Sequence, residues 1–385
     1  MRFADNRNKI GKYIPAVVFL IFIYGMALWF IFSPKPDYSS SEKRYLQKFP
    51  EVTAEKLLSG DFGSEFETFF ADRFPQRNTW VGLNAYTALA VGNNGASGVY
   101  NCKNGYLINK PVSTENNLDK NIGAVADFAK SIDTPTTVML VPSTGYIVDD
   151  VLPTFHDKYN DDEDINKISS TLSKDKIGFV DLRERFKSEY KNGSQLYYKT
   201  DHHWTTKGAY TGYQELCKAL GITPIDDSTL KKDSYPDFYG TTYSSSGFWL
   251  TPPDNIEIWN NPKNSDRNIS VKITEGANIK TSGSMYFTDH LKEDDKYPVF
   301  IDGNHALTEI TNTNAKNGTI LLIKDSFSHS LAPFLAENYS KVVLVDLRYY
   351  KESVSDLVTI YNPEQVVVLY GIDNLATDTD IVWLK

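Results

Sequence analysis

Residues 13–32 read YIPAVVFLIFIYGMALWFIF, twenty positions without a charge. A helix of that length spans the hydrocarbon core of a bilayer. Arg2, Arg7, Lys9 and Lys12 precede it against a single acid, Asp5. That excess predicts a cytoplasmic N-terminus, with the C-terminal bulk of the chain extracytoplasmic. A cleaved signal peptide is the rival reading. The run is longer than a signal core, and IFSPKPD offers no small-x-small cleavage site, so an uncleaved single-pass anchor is expected.

Four of the 40 basic and one of the 49 acidic residues lie before residue 33, which leaves the remainder with a net charge of −12. Such a domain lacks the basic face that phosphate neutralisation needs, so no nucleic-acid partner is expected. Two cysteines, Cys102 and Cys217, cannot build a disulfide framework. With only six histidines beside them, a multi-ligand transition-metal centre is hard to assemble. No metal or cofactor is therefore expected.

The organisation expected is a basic tail (1–12), the anchor (13–32), a juxtamembrane linker (33–60) and a folded domain (61–385). Asn104-Gly105 between two β-prone runs predicts a hairpin of the type I′ kind. Thr114–Ser131 predicts an amphipathic helix. Short apolar runs at 136–142, 177–182, 319–324, 341–347 and 365–370 then alternate with helical stretches at 164–174, 207–220, 328–338 and 351–361. Continuous apolar strands alternating with helices predict an α/β fold, a parallel sheet covered on both faces. The Gly-, Ser- and Asn-rich stretch 233–317 reads as an irregular insertion of loops and hairpins beside that sheet.

The densest chemistry lies in YYKTDHHWTTKGAY, Tyr197–Tyr210. If Asp201–His203 is extended, Asp201 and His203 share a face and His202 points away. A carboxylate beside an imidazole fixes its tautomer and stabilises the imidazolium it becomes, which is two thirds of a catalytic triad. Thr205 or Thr206 would cap the helix that follows. A metal site, a DHH-type phosphoesterase and a purely structural corner are the alternatives. Adjacent histidines diverge in extended chain, and the further aspartate motifs of those phosphoesterases are missing. A nucleophile stands in TILLIKDSFSHSLAPFL, where Ser326 sits between a buried strand and a helix start. Ligands bind at that edge of open α/β sheets, and helix N-terminal amides can serve an oxyanion. The rival reading of Ser326 is an ordinary N-cap; Ser328 is the better-placed cap. Ser143 in MLVPSTGY is a second, lower-ranked candidate nucleophile.

Taken together, FFADRFPQR, GVYNCKNGYLI, LVPSTGYIV, YYKTDHHWTTKGAY and LLIKDSFSHSLAPFL resemble the DHHW family and its relatives, the alginate O-acetyltransferases with SGNH-hydrolase-like domains. The resemblance spans roughly residue 62 to the C-terminus. It implies an SGNH-like three-layer α/β/α catalytic domain, with Ser326 as nucleophile, His203 as base and Asp201 as its orienter. Arg348, Tyr370 and Asn374, which fall at strand ends, and Trp204 are the candidates for substrate or oxyanion contacts; Trp204 is also expected to brace the loop. Two departures stand out: GIDN inverts the last two residues of the SGNH G-x-N-D block, and Lys324 replaces the usual glycine before Asp-Ser. The implied activity is acetyl transfer to a polysaccharide, such as an exopolysaccharide of a biofilm, with a membrane-bound O-acyltransferase supplying acetyl groups. A carbohydrate acetylesterase with the same triad and a non-catalytic export scaffold are the alternatives. Trp249 and Trp259 are candidates for stacking on sugar faces.

Overall fold

The computed structural model describes residues 3–113 and 117–384. Residues 114–116, where the helix predicted from Thr114 would begin, lie outside them. The chain divides into two compact units, 1–87 and 88–385, rather than at residue 61.

In the first unit a continuous helix runs Phe3–Phe32. Its Tyr13–Phe32 portion has a mean hydropathy of 2.4, long and apolar enough to cross a membrane. The segment read as a linker is folded instead. Tyr38–Ser39 pairs antiparallel with Arg44–Tyr45, and the Arg44 guanidinium forks onto the Asp72 carboxylate at 2.8 and 2.6 Å. The buried Arg73 side chain donates to the carbonyls of Lys35, Leu46 and Gln47. Two arginines thus tie residues 35–47 to the end of helix Asp61–Asp72, which sequence periodicity could not register.

The second unit is built on an eight-stranded sheet. In chain order its strands are β1 (Thr136–Val141), β2 (Gly178–Asp181), β3 (Ile269–Glu275), β4 (Asn278–Ser282), β5 (Leu307–Asn312), β6 (Asn317–Lys324), β7 (Tyr339–Val345) and β8 (Gln365–Gly371). Their spatial order is β4-β3-β5-β7-β6-β8-β1-β2. The five strands from β7 to β2 run parallel, and β5, β3 and β4 extend the sheet antiparallel. The stretch 233–317 is thus only partly an insertion beside the sheet: Lys231–Phe238 and Asp254–Asn260 form a separate antiparallel pair, but three further strands belong to the sheet itself. Val271, Ile273 and Ile310 alternate inward there, but polar residues interleave with them and hid the pattern.

Helices α1 (Asn117–Ser131), α2 (Asp161–Lys174), α3 (Thr206–Leu220), α4 (Thr241–Ser246), α5 (Ser328–Leu335), α6 (Val354–Tyr361) and α7 (Ile372–Thr377) complete the frame. Side chains along β6 and β8 alternate between two cores, as a pleated strand requires. Ile320, Leu322, Val367 and Leu369 face the core shared with α3 and α5. Leu321, Ile323, Val366, Val368 and Tyr370 face the core shared with α1, α6 and α7. The result is helix, sheet, helix in three layers. The hairpin also forms, Val99–Asn101 against Leu107–Asn109, with Asn104 and Gly105 both at positive φ but in a longer turn than two residues. At the C-terminal ends of β1 and β6 the chain enters loops carrying Ser143 and Ser326, and after β8 it passes directly into α7, which carries Asn374; these place the site.

Candidate active site

The Asp-His-His-Trp segment is a tight loop rather than extended chain. Tyr197 and Trp204 form an antiparallel bridge. The Tyr198 and Thr205 amides donate to the carbonyls of His203 and Leu196, closing a turn over residues 198–203. Buried Asp254 braces it, accepting from the Lys199 and Thr200 amides, the Thr200 hydroxyl and the Gln195 amide group at 2.7–3.0 Å. Within the turn Asp201 accepts the His203 backbone N–H at 2.8 Å and the ring Nδ1–H at 2.5 Å. A carboxylate two residues before its partner meets both groups only because the chain bends.

With Nδ1 donating to Asp201, Nε2 of His203 is the acceptor, and it lies 2.7 Å from the Ser326 hydroxyl. Residues 123 apart in sequence are thereby joined in one relay. Burial would raise the Asp201 carboxyl, but the neighbouring His203 and His202, together with hydrogen bonds from His203 and the Thr241 amide, outweigh it. They hold the acid well below the usual carboxylate range, ionised for its role beside the imidazole. The second oxygen of Asp201 accepts the Thr241 amide at 2.7 Å and its hydroxyl at 3.1 Å. Gly240 lets this approach happen: a Cβ there would stand 2.1 Å from the Cβ of Asp201.

His202 does not point away. Its ring lies 3.9 Å from that of His203, with Nδ1 at 2.6 Å from the Thr241 hydroxyl. Burial, and then the neighbouring His203, push its pKa down. Asp201, His202 and His203 each offer a donor atom within 4.8 Å of the others, a spacing that would also suit a metal ion. Both ring nitrogens of His203 already have hydrogen-bond partners, so a metal would have to displace either the Asp201 or the Ser326 contact.

Trp204 is fully buried. Its indole N–H is shared between the Phe327 carbonyl and the Ser330 hydroxyl, each at 2.9 Å, and so fastens the histidine loop to the serine loop. Ser326 follows β6 by two residues. Its neighbour Asp325 accepts the Phe327 and Gly371 amides and the Asn374 side-chain amide at 2.7–2.9 Å, locking the turn. Ser328 is the first residue of α5 rather than its cap, and its hydroxyl donates back to the Asp325 carbonyl at 2.8 Å. Thr205 does cap α3, accepting the Gly208 amide.

The remaining predicted residues divide. Asn374 lines a small cavity of about 50 Å³ with Asp201, His202, Phe327, Gly371 and Ser143, although one of its amide hydrogens is used on Asp325. Among the described residues no hydrogen bond from the Ser326 backbone N–H is found. Arg348 stays at the strand edge, forking onto Asp346 at 2.9 and 2.6 Å. Tyr370 is 2% exposed and packs into the core on the opposite face of the sheet; strand alternation carries it away from the site. Trp259 is likewise core, against Tyr210 and Phe334, while Trp249 stays half-buried beside Tyr243. Ser143 has no imidazole partner; its hydroxyl donates to Asp373 and its amide to Asp161. Lys324, in place of the expected glycine, is buried and donates to Asp346 and His329 at 2.9 and 2.8 Å. Asp325, Thr241, Gly240 and Tyr297 were not singled out from the sequence; the Asp directly before Ser326 was the one visible signal.

The structure resembles a DHHW family protein from Eubacterium siraeum (TM-score 0.62, 18% identity, 74% of this chain and 94% of that one). It also resembles Bacillus cereus PatB1, solved with a sulfonyl adduct (TM-score 0.61, 21% identity, 74% and 97%). Similarity to the O-acetyltransferase domain of Pseudomonas putida AlgJ is lower (TM-score 0.47, 15% identity, 75% and 95%). No curated protein matches. The family model described as "DHHW protein" matches residues 112–345, a span that holds Asp201, His202, His203, Trp204 and Ser326, and the chain belongs to the DHHW family.

Proposed function

We propose that the protein is a membrane-anchored, extracytoplasmic O-acetyltransferase that modifies a polysaccharide through an acetyl-serine intermediate. The observation that carries this reading is the Ser326–His203–Asp201 relay at 2.7 and 2.5 Å. It sits at the C-terminal edge of a mostly parallel sheet, where such a fold receives ligands. His203 Nε2 takes the Ser326 hydroxyl proton as Oγ attacks the donor carbonyl, and the imidazolium gives that proton to the leaving group. A sugar hydroxyl then attacks the serine ester while His203 accepts its proton. The ester passes to the sugar, and the proton returns to Ser326. The Ser326 amide and the second amide hydrogen of Asn374 are the candidate oxyanion donors.

The acetyl group and the polysaccharide acceptor come from the family likeness, as does the partner, a membrane-bound O-acyltransferase delivering acetyl groups. The apolar helix 13–32 would hold the domain at the outer membrane surface where polymer emerges. PatB1 was solved with a sulfonyl adduct, and an activated hydroxyl attacks the sulfur of a sulfonyl fluoride and expels fluoride, so such a reagent serves as a probe here. Intact mass after exposure to phenylmethylsulfonyl fluoride, and separately to p-nitrophenyl acetate, should show one adduct mapped to Ser326. Ser326→Ala and His203→Ala should show none. Equal labelling of all three proteins, or no labelling of wild type, would overturn the triad and leave the scaffold reading. Acetate release from acetylated glycan without ester formation on bare glycan would select the esterase.

A further inference from the structure

The 233–317 stretch sends one side chain into the middle of this site. Tyr297 opens a single turn of 3-10 helix, Tyr297–Val299, and is buried. Its ring lies parallel to the His203 imidazole, with centroids 4.0 Å apart and planes 8° apart. His202 stands 3.9 Å from the same imidazole. Two rings cannot both stand that close to one face, so His203 is held between them. The Tyr297 hydroxyl donates to the Ser326 carbonyl oxygen at 3.1 Å. The mounting is stiff. Tyr286 and Phe300 form an antiparallel bridge, the Phe287 and Ile301 amides donate to Val299 and Met285, and Phe300 packs edge-on against Tyr297. Burial raises the phenol far above its usual pKa, so the hydroxyl remains a neutral donor.

We infer that Tyr297 is a positioning residue for acyl transfer: its ring fixes the plane of the His203 imidazole, and its hydroxyl fixes the main chain of Ser326. The inference rests on the proposed roles of those two residues. Asp201 alone does not fix the ring, because a carboxylate held at Nδ1 leaves the imidazole free to rock about that contact. A ring packed flat against it removes that freedom. The negative face of the phenol also favours an imidazolium over a neutral imidazole. The interaction is therefore stronger in the transition state, when His203 carries the serine proton, than in the resting enzyme.

The test uses the full-length protein in detergent with p-nitrophenyl acetate, reading kcat, KM and the Ser326 adduct for wild type, Tyr297→Phe and Tyr297→Leu. Leucine removes both ring and hydroxyl, and should lower kcat about 100-fold with KM within about twofold, as expected for a slightly misplaced base. Phenylalanine keeps the stacked ring and should recover most of that loss, to about fivefold below wild type. A folded leucine variant with wild-type kcat, or a loss confined to KM, overturns the inference. If leucine abolishes folding, phenylalanine decides: about fivefold lower kcat at unchanged KM supports it, and unchanged kcat sinks it. Wild type giving no Ser326 adduct removes the acyl-transfer reading and this inference together. A wild-type adduct that forms equally fast in a folded leucine variant removes this inference alone.

Discussion

Replacing Trp204 with phenylalanine tests the tie between the two halves of the site. The indole N–H satisfies the Phe327 carbonyl and the Ser330 hydroxyl, each at 2.9 Å in a fully buried setting. Losing two neutral hydrogen bonds costs about 1 kcal/mol each. The Ser330 hydroxyl and the Phe327 carbonyl at the N-cap of α5 both lose the indole donor, and the smaller ring leaves a void worth about 1 kcal/mol more. The sum is about 3 kcal/mol, or roughly 5 °C in Tm for a domain of this size. The functional cost should exceed the thermal one. Phe327 directly follows Ser326, so releasing its carbonyl lets the serine loop slip from the 2.7 Å contact with His203, for about a 10–100-fold loss of adduct formation. Circular dichroism melting and mass-resolved labelling with a sulfonyl fluoride read both quantities. A Tm within about 2 °C of wild type, with unchanged labelling, would show that the indole is not the fastening.

Gly240→Ala should be more damaging than its size suggests: the new methyl would meet Asp201 at 2.1 Å. Labelling of Ser326 should fall at least about tenfold while the protein still folds, and a variant that labels normally refutes the close approach. Asp161 gives a pH test. Burial, then the nearby Asp373 charge, raise its carboxyl to about 7 against the partial relief of the Ser143 amide. A folded pKa above the unfolded one means full stability below about pH 4. That stability is lost as pH rises to about 7, amounting to about 4 kcal/mol. Asp161→Asn keeps an acceptor for Ser143 and should flatten the decline in urea midpoint between pH 5 and pH 8; a variant declining as steeply as wild type contradicts the assignment. Asn374→Ala should slow acetyl-Ser326 formation about tenfold or more with little change in sulfonate labelling after long exposure. Equal rates of acetylation would remove Asn374 from the oxyanion site.

Much of this was legible in the residues themselves, for physical reasons. Strands β1, β6, β7 and β8 are buried on both faces, so they read as unbroken apolar runs. The loops after them hold the small and polar residues that a ligand edge requires. Asp201, His203 and Ser326 could be picked out because each sits beside a strong boundary signal, a helix cap or a strand end. What escaped lay in long-range pairing. The strands of 269–312 mix polar and apolar residues because they extend the sheet antiparallel, away from its doubly covered centre. Tyr370 was misplaced because one residue of strand alternation decides which core a side chain enters. Asp201 and His203 meet through a bend that Asp254 stabilises from 51 residues beyond His203, and nothing local announces that partner. Tyr297 and Thr241 belong to the same hidden region, so the surroundings of the triad were less readable than the triad.

Strand order carries a consequence for how such a molecule comes together. β8, last in sequence among the eight strands, lies in the interior of the sheet, hydrogen-bonded to β6 on one side and β1 on the other. Until it inserts, the strand leading to Ser326 and the strand leading to Ser143 have no ladder between them. Gly371, at its end, also supplies the amide that locks Asp325. Assembly therefore depends on contacts of high sequence separation, the kind that fold slowly. Half-built forms would expose two raw sheet edges and lack the locked Ser326 turn. If Ser326 is the proposed nucleophile, a chain that becomes reactive only on its final strand insertion is spared acylating itself or its neighbours while still unfolded.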